Sequence, residues 1–417
     1  MNKVNIIELL QTRGFIYQCT NLNVLKKLCN NKIVLYVGFD CTANFLHIGS
    51  LLQIMMLRHI QNNNHKVIIL LGGGTTKIGD PSGKDKARQM LSDSQINNNK
   101  ISIKNVFAKF LMCNTGNHVL FLDNNYWLSQ IKYLKFLKDF GSCVSVNRIL
   151  SFENIKLRLN KQRFFSFLEF NYMLLQAYDF YVLFKKYNCI LQLGGSDQWA
   201  NIISGVELIK KKTQNEVFGL TTPILTTSSG KKMGKSEHGA LWLNSNLLSS
   251  YDYWQFWRNI EDNNVVKFLK WFTEISVHDI SCLKRIKNIN KLKIILADNV
   301  TALLFGIKES EKAKKNAYAS FLYKEINKNL LTIIIQAKDL KKDIFLHQLI
   351  FYCGLTISNS RAKYLIYNNG IKLNNINVSN KKFTCNLILG KYKCLKLSVG
   401  KKNHVFIKIQ NQFHIIK

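Results

Sequence analysis

The 417 residues carry 59 lysines and arginines against 25 aspartates and glutamates, a formal net charge of +34, with 47% hydrophobic content. That apolar share supports a sizeable core and two or three domains, and the positive field favours a polyanion such as nucleic acid as partner. The sequence has no apolar run long enough for a transmembrane helix and no signal-peptide pattern at its N-terminus, and its ten cysteines stand singly without a CxxC pair. It therefore predicts a reduced, cytoplasmic chain with no membrane span, no disulfide framework and no protein-bound metal.

In chain order, "KIVLYVGFD" (32–40) is β-branched and apolar and predicts a buried strand. A helix follows from Ile48, with Leu51, Leu52, Met55, Met56 and His59 on its buried face. "KVIILLGGG" (66–74) predicts the next strand, so strand, helix and strand form a βαβ unit and a parallel sheet. "SFLEFNYMLLQAYDFYVLFKKY" reads as a helix that is apolar nearly all round, and "CILQL" (189–193) as a short strand before another helix. The expected fold is α/β, a Rossmann-like doubly wound parallel sheet over residues 1–225, with ligands at the carboxyl ends of its strands. A loop (226–245), a helical domain (246–325), a charged linker (326–341) and a small α+β domain (342–417) complete the predicted organisation.

The chemistry-bearing residues gather at those strand ends. "GFDCTANFLHIGS" sets Gly38, Asp40, Thr42, His47, Gly49 and Ser50 before or within a helix N-terminus, where unpaired N–H groups and the helix dipole favour phosphate. A His-Gly pair that merely caps the helix is the plainer alternative. "LGGGTTKIGDPSGK" (71–84) holds Asp80 in a tight turn with Pro81, one of only two prolines in the chain. On the apolar helix Tyr172, Gln176 and Asp179 fall at i, i+4 and i+7, one polar stripe on a buried surface. Burying it without partners costs several kcal/mol, so it calls for a polar ligand or an internal network. "LQLGGSDQWANI" brings Gly194, Asp197 and Gln198 to a strand-to-helix turn. "SSGKKMGKSEHGALWL" (228–243) supplies Lys231, Lys232 and Lys235 in a glycine-rich loop suited to clamping charge on phosphates.

Taken together, an HIG at the first βα junction and a KMGKS loop after the sheet resemble the paired motifs of class I aminoacyl-tRNA synthetases. "YVGFDCTANFLHIGS", "GDPSGK", "YMLLQAYDF" and "LGGSDQW" resemble the tyrosyl-tRNA synthetases of bacterial and organellar type, and the tail "SNSRAKYLIYNNGIKLNNINV" is similar to their C-terminal S4 module. The resemblance implies tyrosine activation with ATP and Mg2+, then transfer to the terminal adenosine of the tRNA, by a homodimer. It assigns Tyr36 and Asp179 to the substrate phenol, and Tyr172, Gln176 and Asp80, with Gln198, to its ammonium end. Gly38, Asp40, His47, Gly49, Ser50, Gly194, Asp197, Gln198, Met233 and Lys235 would surround ATP and the adenylate, and Thr42, His47, Lys232 and Lys235 would act on the phosphates. Arg361 and Lys363 would face RNA. Ser50 stands where the family carries a second histidine, and Cys41 where it carries proline. The competing readings are a tryptophan-specific enzyme on the same fold, and an RNA-binding descendant that has lost catalysis.

Overall fold

The computed structural model describes residues 4–80, 91–113, 118–162, 166–226, 235–236, 239–240, 242–244, 247–283, 285, 288–327, 331–336, 345–373, 376–378, 394–399 and 403–410. The chain divides into two compact units, 1–314 and 315–417.

The first unit is built on six strands with helices between them: α1 (Ile6–Arg13), β1 (Gln18–Cys19), β2 (Val34–Asp40), α2 (Ile48–Asn62), β3 (Lys66–Gly72), α3 (Asp93–Phe110), β4 (Val119–Asp123), α4 (Phe167–Tyr187), β5 (Cys189–Gly195), α5 (Trp199–Thr213) and β6 (Phe218–Thr222). Their order in the sheet is β1-β6-β5-β2-β3-β4, parallel throughout except for β1, which runs antiparallel to β6. Runs such as Val67 to Leu71, buried on both faces, supply the apolar strands that a helix-covered parallel sheet requires. The strand order reverses between β2 and β5. A crevice therefore opens at the carboxyl ends of those two strands, the usual ligand position in an open α/β sheet.

Two helices aim at that crevice. The first, α2, starts at His47, whose Nδ1 accepts from the Gly49 N–H at 2.9 Å as an N-cap. The second, α4, begins with a Ser166–Glu169 capping box and ends on Asn188 in the left-handed conformation, so its 21 residues are fixed at both ends. Beyond the sheet, a two-stranded ribbon of β7 (Lys235–Ser236) and β8 (Gly239–Ala240) precedes α6 (Ser250–Arg258), α7 (Val265–Phe272) and α8 (Ile289–Phe305), and the division at 314/315 falls within the next helix, α9 (Ile307–Asn327). Buried Arg13 at the end of α1 donates to the carbonyls of Lys270, Thr273 and Ile275, capping α7, while Arg58 of α2 pairs with Glu274 at 2.8 Å. The far end of α2 is thereby tied to the helical part of the same unit.

The second unit holds β9 (Leu331–Gln336), α10 (Leu346–Tyr352), α11 (Asn359–Tyr367), β10 (Ile371–Leu373), β11 (Ile376–Asn377), β12 (Cys394–Val399) and β13 (Asn403–Gln410), with sheet order β11-β10-β12-β13-β9. Leu349, Ile350, Ala362, Ile366, Leu397 and Ile407 form its core. The expected linker at 326–341 is corrected in part. Its "LTIIIQ" segment forms β9 and pairs in parallel with β13 from Leu331↔Val405 to Gln336↔Gln410. The β-branched run inside the charged stretch found a non-local partner that a linear reading does not supply.

Candidate active site

A cavity of about 800 Å³ lies at the sheet crevice, lined by Tyr36, Gly38, Asp40, Thr42, His47, Gly49, Ser50, Asp80, Tyr172, Gln176, Asp179, Gly194, Asp197 and Gln198 among others. Residues spread from β2 to the turn after β5 are thus gathered in one space.

At its inner end sit Tyr36 and Asp179, 1% and 2% exposed. Asp179 accepts from Asn124 Nδ2 at 2.9 Å and from Trp127 Nε1 at 2.7 Å. Burial, outweighing those two donors, pushes its carboxyl up to about 7. The Tyr36 hydroxyl is buried without a hydrogen-bond partner, and its pKa lies well above the usual phenol value because of burial and the Asp179 charge. A buried acceptor and an unsatisfied buried hydroxyl, near enough for the Asp179 charge to act on Tyr36, match a ligand group that both donates and accepts.

Toward the mouth, Asp40 accepts from Thr75 Oγ1 at 2.8 Å and from the Tyr172 hydroxyl at 3.0 Å. Asn124 links this carboxylate to the inner one, since its Nδ2 also donates to Thr75 Oγ1 at 3.0 Å and its Oδ1 accepts from the Gly74 N–H at 2.8 Å. A second network runs along the other wall. Asn201 Nδ2 donates to Gln176 Oε1 at 3.0 Å and to Gln198 Oε1 at 3.1 Å, and Gln198 Nε2 donates to Asp80 Oδ2 at 2.8 Å. At the rim stand the exposed Thr42 and His47 with the first turn of α2. A side chain at Gly49 would bring its Cβ to 2.5 Å from His47 Cε1, so only glycine lets the imidazole fold back as cap. Trp242 bridges His47 in the backbone, and the Leu243 N–H donates to the Leu46 carbonyl at 2.8 Å, fastening the exit of the lysine-rich segment to this rim.

Comparisons with known proteins agree with this geometry. A family model described as tRNA synthetases class I (W and Y) matches residues 27–322. The curated tyrosine–tRNA ligase of Pelagibacter ubique is 47% identical over 411 residues, covering 98% of this chain and all of that protein. The chain belongs to the class I tRNA synthetases of the tryptophan and tyrosine branch. The tyrosine–tRNA ligase of Wolbachia pipientis is also 47% identical, over 98% of both chains. Among solved structures, a C-terminally truncated mitochondrial tyrosyl-tRNA synthetase of Aspergillus nidulans superimposes with a TM-score of 0.68 at 28% identity, over 76% of this chain and 94% of that one.

Tyr172, Gln176 and Asp179 of α4 all line the cavity, and each also has a protein partner, in Asp40, in Asn201 and in the Asn124–Trp127 pair respectively. His47 Nδ1 accepts from the Gly49 N–H as the helix cap, at an exposed position that also lines the cavity. Lys232 and Met233 lie outside the described residues, as does the side chain of Lys235, whose backbone pairs with Ala240. Arg361 and Lys363 lie on an exposed face of α11 in the second unit. Cys41 is fully buried, and its N–H, which a proline would lack, donates to Thr76 Oγ1 at 2.7 Å.

Sequence reasoning missed four residues of the site: Asn124, Trp127, Thr75 and Asn201. Each acts by holding another side chain. The only local signal was an asparagine and a tryptophan just past the strand "VLFLD".

Proposed function

We infer that the chain is an enzyme that attaches L-tyrosine to its tRNA in two steps. In the first, the tyrosine carboxylate attacks the α-phosphate of ATP, giving tyrosyl-adenylate and releasing pyrophosphate. In the second, a ribose hydroxyl of the terminal adenosine attacks the tyrosyl carbonyl and AMP departs. The observation that carries the tyrosine reading is the buried pair of Asp179 and Tyr36 at the closed end of the cavity. The substrate phenol would donate to Asp179 and accept from Tyr36, satisfying both groups.

From that anchor, Asp80, Tyr172, Gln176 and Gln198 would receive the ammonium group, and Gly38, Asp40, Gly194 and Asp197 the adenylate. Gly49, Ser50 and Met233 would border ATP, which enters with magnesium as a substrate complex. Thr42, His47, Lys232 and Lys235 would stabilise charge on the departing pyrophosphate. The reaction uses no protein nucleophile, so rate comes from positioning and electrostatics. A tryptophan-specific site is disfavoured, because an indole has no acceptor for the Tyr36 hydroxyl.

The division into a catalytic domain (1–225), loop (226–245), anticodon-side helices (246–325) and S4 module (342–417) fits this reading, with Arg361 and Lys363 on RNA. A homodimer is supported by the apolar side chains Leu134 and Phe167, 81% and 67% exposed near the sheet domain. Among the described residues no helix is long and apolar enough to cross a membrane, and work in the cytoplasm fits the reading. The test is tyrosine-dependent ATP–pyrophosphate exchange, with phenylalanine and tryptophan as controls. Exchange with tyrosine alone is expected; a folded protein inert toward all three would overturn the assignment.

A further inference from the structure

From Ile344 to Lys417 the sequence holds twelve lysines and arginines and not one aspartate or glutamate. Within that stretch α11 turns Ala362 and Ile366, 0% and 4% exposed, toward the core of its unit. With about 100° between successive residues, its outer face reads, in order around the helix, Lys363, Tyr367, Tyr364 and Arg361. Two tyrosines therefore stand side by side with a cation on either flank. Tyr364 is 56% and Tyr367 67% exposed, and the Arg361 guanidinium lies 5.0 Å from the centre of the Tyr364 ring.

Lysine and arginine alone suffice to follow a phosphate backbone. Aromatic faces between them add something only where the bases are free to stack, since a paired A-form helix hides its base faces. We propose that the outer face of α11 takes up an unpaired segment of RNA, with phosphates on Arg361 and Lys363 and bases stacked on Tyr364 and Tyr367. This deepens the RNA reading of the tail and rests on it. An acidic protein segment would use the cations equally well, but it would leave the paired rings without a matching flat partner.

The two contributions separate by salt. Binding of the full chain to a transcript of the tRNA for tyrosine, and to a blunt RNA duplex, is measured by anisotropy over a range of salt concentrations. Tyr364→Ala and Tyr367→Ala should each weaken transcript binding roughly fivefold or more at every salt concentration, leaving the slope against log salt unchanged. Tyr364→Phe should bind like the parent. Lys363→Gln should instead lower the slope by about one. Both tyrosines point outward, so thermal melts should match the parent. Loss of affinity in the lysine variant but not in a Tyr364/Tyr367 double alanine variant would overturn the stacking proposal and leave the RNA reading standing. Duplex bound as tightly as transcript would also overturn it. No effect from any of these substitutions would remove both.

Discussion

The amide of Asn124 reaches the carboxylate of Asp179 at 2.9 Å, and with its second hydrogen it reaches the Thr75 hydroxyl that holds Asp40. One buried side chain, 1% exposed, thus holds one carboxylate proposed for the tyrosine phenol and, through Thr75, one proposed for the adenylate. Trp127 touches only the first of them. Hydrogen bonds to charged groups are worth about 1.5–3 kcal/mol, or roughly 10- to 150-fold in kcat/KM. Trp127→Phe should therefore raise the KM for tyrosine and spare the ATP side. Asn124→Ala should damage both tyrosine binding and kcat in pyrophosphate exchange. Equal, tyrosine-only effects from the two variants would show that the link through Thr75 is idle.

The raised Asp179 carboxyl has a signed consequence for stability. Burial lifts it from an ordinary 3.8 to about 7, so across that window the folded protein holds a proton that the unfolded chain has released. Stability must fall as pH rises through the window and level off above it. Asp179→Asn lacks the effect. The melting temperature of the parent relative to this variant should decline from pH 4 to 7 and then stay flat. A constant difference would mean that the carboxyl is not raised. The same ionisation predicts that kcat/KM for tyrosine climbs toward pH 7, because the carboxylate is the better acceptor for the phenol.

How much of this could be read from the sequence depended on whether the information was local. The βαβ unit and the Tyr172–Gln176–Asp179 stripe repeat at the period of their own element, and both stand where the pattern put them. Asn124 could not be found that way, because its partner Asp179 is 55 residues distant and neither surrounding sequence names the other. β9 is the same case: a β-branched run in charged surroundings becomes a strand only because β13 closes on it. Function was legible because the motifs fall together at strand ends. The scaffold that holds them was not, because hydrogen-bond partners across a fold leave no periodic trace.

Tyr36 gives a variant whose stability and activity move in opposite directions. Its hydroxyl is buried without a partner, a condition that costs about 1–3 kcal/mol in the unliganded protein. Tyr36→Phe should melt higher than the parent. It should also activate tyrosine less well and discriminate less against phenylalanine, because the substrate oxygen loses its donor. Differential scanning calorimetry and exchange kinetics with both amino acids check the pair of effects. A variant that melts lower would show that the hydroxyl is satisfied in the free protein.

Gly49 separates a helix argument from a catalytic one. Inside a helix, glycine to alanine normally stabilises by about 1 kcal/mol. Here the added Cβ would lie 2.5 Å from His47 Cε1 and 2.7 Å from Nδ1, so the imidazole must leave its cap on the Gly49 N–H. His47 is proposed to act on the phosphates, and a displacement of about 1 Å at such a group can cost on the order of a hundredfold in rate. Gly49→Ala should therefore lower kcat in pyrophosphate exchange by about that factor while the KM for tyrosine, set at the Asp179 end of the cavity, stays put. Its melting temperature should change little, because gained helix propensity and the lost cap oppose each other. Unchanged kcat would mean that His47 acts only as a cap, and the phosphate role would pass to Thr42 and the lysines alone.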